Sequence, residues 1–142
     1  MNEYDVWNKA KQFINRSVNF PDVREREVRW CSIGQNIGYE INGKGSTFTR
    51  PVLIIKKLSR STLLIAPMTT KIRTGSWYPT IGLHGQNQNV CINQIRTIDT
   101  KRIYSCIGRI TANNMTSVKN AVQNIFLTST PSQSPLVLPK ER

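Results

Sequence analysis

Between Glu25 and Ile110 the apolar residues come in short runs and not in helical stripes, and this spacing is what most limits the fold. The runs are EREVRWCSI, PVLIIKKL, STLLIAPMTT, WYPTIGL, NVCIN and RIYSCIGRI. Gly, Pro, Asn and Ser separate them at the intervals of a small all-β barrel or sandwich. Pro51 and Pro67 have no backbone N–H to give to a ladder, so they are expected at strand starts or edges. Between the first two runs lies GQNIGYEINGKGSTFT, with four glycines and no apolar period. A loop of that length inside a compact domain is expected to be functional or mobile.

Helical periods flank the β-rich stretch. Tyr4, Trp7, Ala10 and Ile14, with Phe13 slightly off the stripe, predict an amphipathic helix over residues 3–16, ended by Asn19-Phe20-Pro21-Asp22. Thr111 is a natural N-cap for a closing helix whose Met115, Val118, Val122, Ile125 and Phe126 would face the sheet. The organisation expected is therefore an N-terminal helical extension over 1–22, a barrel domain over 23–127, and a disordered tail over 128–142 with three prolines.

Charge sets the partner class. The 142 residues are enough to bury about two-thirds of the unfolded surface without disulfides or structural metal. The net charge is +12, and residues 23–110 hold fourteen basic groups against four acidic ones, or +10. A basic excess so placed draws polyanions, nucleic acid first and acidic protein segments after it. The three cysteines show no paired or metal-ligand spacing, which fits a reducing compartment. No apolar run approaches the roughly 18 residues of a membrane span, and the polar N-terminus lacks the core of a signal peptide. A cytoplasmic protein that does not contact membrane is expected.

The residue inventory narrows the chemistry. Metal-dependent nucleases need converging carboxylates, and residues 23–110 offer only Glu25, Glu27, Glu40 and Asp99. His84 is the single histidine and sits in the turn-like GLHGQ, so a histidine triad or pair fails. GKG at 43–45 lacks the spacing of a phosphate loop. Cys31, Cys91 and Cys106 lie in apolar runs and are expected to be buried and inert. Trp30 reads as core at least as readily as surface, whereas Trp77 and Tyr78, beside Arg73, are candidates for stacking on bases. RNA brings its own nucleophile, the 2′-hydroxyl, so a site need only position the strand, neutralise a phosphate and move protons. Arg50 and Thr69 would meet at adjacent strand ends if the second and third runs pair, one supplying a planar cationic fork and the other a hydroxyl.

Four blocks in order give the chain a resemblance to a known family. REVRWCSIG is similar to the opening strand of the MazF/PemK toxin endoribonucleases, though without the usual glycine; GYE followed by RPVLII, then APMTTK, then NQIRTIDTKRI running into IGRIT, resemble the rest of residues 24–127. The resemblance implies a mainly β fold, an SH3-like small barrel of the MazF/PemK/CcdB type closed by a C-terminal helix, with the N-terminal helix as an extra. It implies the toxin of a type II toxin-antitoxin pair. Such a toxin is a homodimer that cuts single-stranded RNA without metal or cofactor, leaving a 2′,3′-cyclic phosphate, and that is neutralised by an acidic antitoxin with which it binds DNA. Residue by residue it implies that Arg50 and Thr69 are catalytic and that Glu40 is the acidic residue of the first loop. Thr70, Lys71, Arg73, Trp77, Gln94 and Arg96 would hold RNA. Asn93 stands where many members carry an Asp that one branch uses as the proposed base, so that group is missing here, and the stretch from Glu40 to Arg50 is longer than usual. The competing reading is a non-catalytic RNA binder or a gyrase poison on the same barrel; a structural protein of a ribonucleoprotein particle would explain the charge but not the Arg50 and Thr69 blocks.

Overall fold

The computed structural model describes residues 2–18 and 20–129. Seven antiparallel strands, β1 (Glu27–Ser32), β2 (Thr49–Lys57), β3 (Thr62–Thr69), β4 (Thr80–Leu83), β5 (Gln86–Val90), β6 (Arg96–Asp99) and β7 (Ile103–Arg109), curl into a half-barrel between helices α1 (Glu3–Asn15) and α2 (Ala112–Leu127). The hydrogen-bonded order is β4-β5-β3-β2-β1-β7, with β6 also on β3. No helix among the described residues is long and apolar enough to cross a membrane.

The continuous apolar run of β2 is explained by burial on both faces. Leu53 and Ile55 point into one cluster with Val28, Ala66, Met68 and, from α2, Met115 and Val118. Val52 and Ile54 point into a second with Cys31, Ile33, Leu63 and Ile65. Full burial of each such side chain contributes about 1.5–3 kcal/mol. Helix α2 starts as expected, the Thr111 hydroxyl accepting from the Asn114 N–H at 3.1 Å. Phe126, however, does not join its buried face: it is 79% exposed, because the apolar stripe ends at Ile125 and the last turn runs past the sheet. Helix α1 is capped by the Asn2 side chain on the Asp5 N–H and buries Trp7, leaving Tyr4 and Phe13 exposed. Of the tail expected to be disordered, residues 130–142 lie outside the described residues.

Both prolines stand inside strands, for a reason visible in the ladders. β3 pairs with β6 from Thr62 to Ile65 and with β5 at Met68 and Thr69, so Pro67 falls at the change of partner, where no N–H is called for. Pro51 pairs with Trp30 of β1, and the β2–β3 ladder begins one residue later, at Val52. In NVCIN only Asn89 and Val90 are strand; Ile92–Gln94 form a 3₁₀ turn, and the true sixth strand is the RTID segment. The β4–β5 hairpin turns on His84 and Gly85, both at positive φ (51° and 72°), as a two-residue hairpin loop requires.

Two cysteines are buried as expected, but Cys106 is exposed, because β7 is an edge strand with one uncovered face. Burial pushes the Cys31 thiol up to about 12, against a smaller opposing pull from Arg102 and Arg96. Its contribution to stability is complete below the ordinary thiol value of 9.0 and is lost as pH rises toward about 12. A thiol reagent added to native protein at neutral pH should therefore label Cys106 alone, and all three cysteines once the chain is unfolded. Mass analysis of the labelled peptides checks this, and equal labelling of Cys31 in the native state would contradict the burial.

Candidate nucleic-acid interface

The first strands of the sheet, the loop over 33–48 and the β4–β5 hairpin enclose an open groove of about 870 Å³. Arg50 and Thr69 face it from neighbouring strands. The β2–β3 ladder stops at Val52 and Pro67, two residues short of each, and beyond it Arg50 pairs with Cys31 of β1 and Thr69 with Asn89 of β5 while both line the groove. The Arg50 Nε donates to the Asn42 carbonyl at 2.9 Å and its Nη1 to the Met68 carbonyl at 3.3 Å, which fixes the plane of the guanidinium and leaves Nη2 for a ligand. The Thr69 Oγ1 accepts from the Lys71 N–H at 3.1 Å and turns the chain so that Thr70 and Lys71 line the same wall. Its hydroxyl proton is left to donate.

The field in the groove is positive. Burial lowers the Arg50 pKa first and the nearby Arg73 lowers it further, with Cys91 pulling the other way. The Cys91 thiol is raised by burial, partly offset by Arg73 and Arg50, so it stays protonated at neutral pH. A half-desolvated guanidinium facing a second one exerts a stronger field than a solvated charge, and a phosphate between them relieves the repulsion. Lys44 and Lys71 extend the basic lining, whereas among the described residues no Asp, Glu or His takes part in it. Among the described residues no three His, Cys, Asp or Glu side chains gather as a metal site would need.

Of the residues expected to act here, Arg50, Thr69, Thr70, Lys71, Arg73 and Gln94 line the groove. Three do not. Glu40 is exposed and its Oε1 accepts from the Ile37 N–H at 2.9 Å, closing a turn within its own loop. Arg96 pairs with Ile65, four residues along β3 from Thr69, or roughly 13 Å at strand rise, and lies beside Cys31 and Arg102. Trp77 is displaced by its neighbour: Tyr78 lines the groove, 5.7 Å from the Arg73 guanidinium. Trp30 is not core but 41% exposed, beside Pro51 in the groove wall, because Val28 on the same face of β1 already fills the cluster.

Two polar side chains shape the walls from behind. The buried Asn89 accepts from the Arg73 N–H at 2.8 Å and donates to the Tyr78 carbonyl and the Thr80 hydroxyl at 2.9 Å each. The Gln94 amide donates to the Tyr39 carbonyl at 2.8 Å and accepts from the Ile41 N–H at 3.0 Å, pinning the loop by two backbone groups. Nothing local in QNQNV distinguishes the buried Asn89 from Asn87, which lies two residues away on the same face and is exposed.

A family model for the PemK-like, MazF-like toxins of type II toxin-antitoxin systems matches residues 24–126. Among solved structures, MazF from Deinococcus radiodurans is 18% identical with a TM-score of 0.60, over 78% of this chain and 99% of that one. An endoribonuclease in complex with its cognate antitoxin from a mycobacterial species is 19% identical with a TM-score of 0.57, over 78% and 100%. The Mycobacterium tuberculosis toxin MazF-mt6 is 20% identical with a TM-score of 0.55, over 74% and 100%. At such identities the likeness is one of fold. No curated protein sequence matches the chain.

Proposed function

Since the chain belongs to the PemK-like, MazF-like toxins of type II toxin-antitoxin systems, we propose that it is a toxin endoribonuclease that cuts single-stranded RNA in the Arg50–Thr69 groove. The observation that carries this reading is Arg50 in the same groove as Thr69, its guanidinium on the carbonyl of the preceding Met68, among Lys44, Lys71 and Arg73. The RNA 2′-hydroxyl gives its proton to hydroxide and its oxygen attacks the adjacent phosphorus, while the 5′-oxygen leaves and takes a proton from water, giving a 2′,3′-cyclic phosphate and a 5′-hydroxyl. Arg50 balances the charge that grows on the phosphoryl oxygens, and the Thr69 hydroxyl donates to them. Trp30 and Tyr78 bring aromatic rings to the groove on which unpaired bases can stack, which suits a single strand and not a duplex.

The acidic partner follows from the same field. The mycobacterial endoribonuclease was solved with its cognate antitoxin and the Deinococcus MazF with MazE. In this chain an acidic antitoxin segment lies along the groove in place of RNA, and the working form is a cytoplasmic homodimer.

A single assay tests the reading. Purified protein is expected to cleave single-stranded RNA in EDTA, and primer extension would give the preferred site. Because no carboxylate or imidazole lines the groove among the described residues, the rate should climb with pH through 6–9 without the plateau that such a base imposes. Loss of cutting on chelation would sink the mechanism, and a plateau would return Glu40 to the site. The lack of an acid or imidazole favours one second reading, an RNA grip that does not cut. That protein would shift RNA with steep salt dependence and leave it whole.

A further inference from the structure

Helix α1 precedes the 24–126 stretch that the family model matches, yet it is built into the groove loop. The Trp7 ring fills the space over Gly34, where a Cβ would lie 2.4 Å from it, and Gly34 has a φ of +94° that other residues rarely adopt. The same ring meets Phe48 at 5.5 Å and carries the Arg102 guanidinium 5.6 Å from its centre. The Tyr4 hydroxyl donates to the Asn36 carbonyl at 3.1 Å, and Lys101 Nζ donates to the Asn15 carbonyl at 3.0 Å at the far end of the helix.

From these contacts the path to Arg50 is short. The Asn36 N–H donates to the Asn42 side-chain oxygen at 2.6 Å, and the Asn36 amide donates to the Ile41 carbonyl at 2.7 Å. The Gly43 N–H donates to the Gly34 carbonyl at 2.8 Å, directly beneath Trp7. Asn42 then supplies the carbonyl that accepts from the Arg50 Nε. The loop is thus gripped by α1 at Gly34, Asn36 and Phe48 and by Gln94 at Tyr39 and Ile41, with Asn42 between the grips.

We infer that α1 is a built-in brace of the groove, in which Trp7 and Tyr4 are positioning residues that hold the loop and, through Asn42, the guanidinium of Arg50. The effect on cleavage rests on the RNA-cleaving reading; the mechanical coupling does not, and the test separates them. Hydrogen exchange is followed at the amides of Asn36 and Gly43 and at Val52 and Ile54 in β2, alongside kcat and KM on a single-stranded RNA. In Trp7→Ala exchange at the loop amides should rise about tenfold while β2 stays protected. In the same variant kcat should fall about tenfold or more with KM within about threefold. Trp7→Phe should restore most of both, and Phe13→Ala, on the exposed face of α1, should change neither.

A folded Trp7→Ala variant with unchanged loop exchange overturns the inference, as does equal loss of protection in β2, which would mark a purely global effect. Should Trp7→Ala fail to fold, Tyr4→Phe removes one hydroxyl at an exposed residue, and unchanged exchange at Asn36 and Gly43 then overturns it. A wild-type protein that cuts no RNA would refute the cleavage reading and leave the exchange measurements to decide the brace.

Discussion

Replacing Arg50 with Ala should lower RNA cleavage by about a thousandfold, the scale on which removal of a directed transition-state donor acts. The fold should persist. Arg50 is only partly buried, the Met68 carbonyl it donates to borders an open groove, and water can replace it there. Unfolding free energy should therefore change by no more than about 1 kcal/mol. Arg50→Lys is the sharper variant: it keeps a charge but loses the planar fork, so about a hundredfold of the loss should remain. Single-turnover cleavage with thermal melts of the same samples measures both quantities. Cutting by Arg50→Ala within threefold of the wild-type rate would mean that the phosphate sits elsewhere.

A second large effect is expected from one methyl group. A Cβ on Gly43 would lie 1.8 Å from the Phe48 carbonyl oxygen and 2.0 Å from its carbon, both backbone atoms that have no side-chain freedom to yield. That same oxygen accepts from the Ile33 and Gly34 N–H groups at 3.0 and 3.2 Å. Gly43→Ala must therefore pry the two sides of the loop apart, at a cost of about 2–3 kcal/mol. It must also move Asn42 away from Arg50, lowering cleavage about tenfold or more. Gly45→Ala is the natural comparison, since nothing lies within 4 Å of its Cβ; at a φ of +76° it should cost only about 1–2 kcal/mol. Urea unfolding and cleavage rates on the pair check this, and equal behaviour of the two variants would refute the argument.

What could be read from the sequence follows a division between local and distant causes. That Arg50 and Thr69 come to neighbouring strands was legible because adjacent β-rich runs tend to pair, whereas the prolines misled about where each strand begins. Both helices were legible from their period and, for α2, from Thr111. Glu40 and Arg96 were not legible as to place. The loop that aims Glu40 is set by Gln94, more than fifty residues later, and Arg96 by which half of β3 its strand joins. Trp30 shows the same limit: alternation assigns its face, but whether that end of the face is covered depends on strands far away. The role of α1 lay outside every motif, since it consists of contacts to glycine and asparagine backbone and leaves no pattern of its own.

Among the described residues no acidic side chain lines the groove, and this has a consequence for the free protein. Arg50 and Arg73 each meet a like charge with no counterion built into the wall, so the empty molecule stores self-repulsion that only a polyanion or dissolved salt can discharge. An antitoxin segment would then do more than obstruct the groove. By discharging that repulsion it makes the captured toxin the more stable species, and protection of the fold and silencing of the activity become one thermodynamic event.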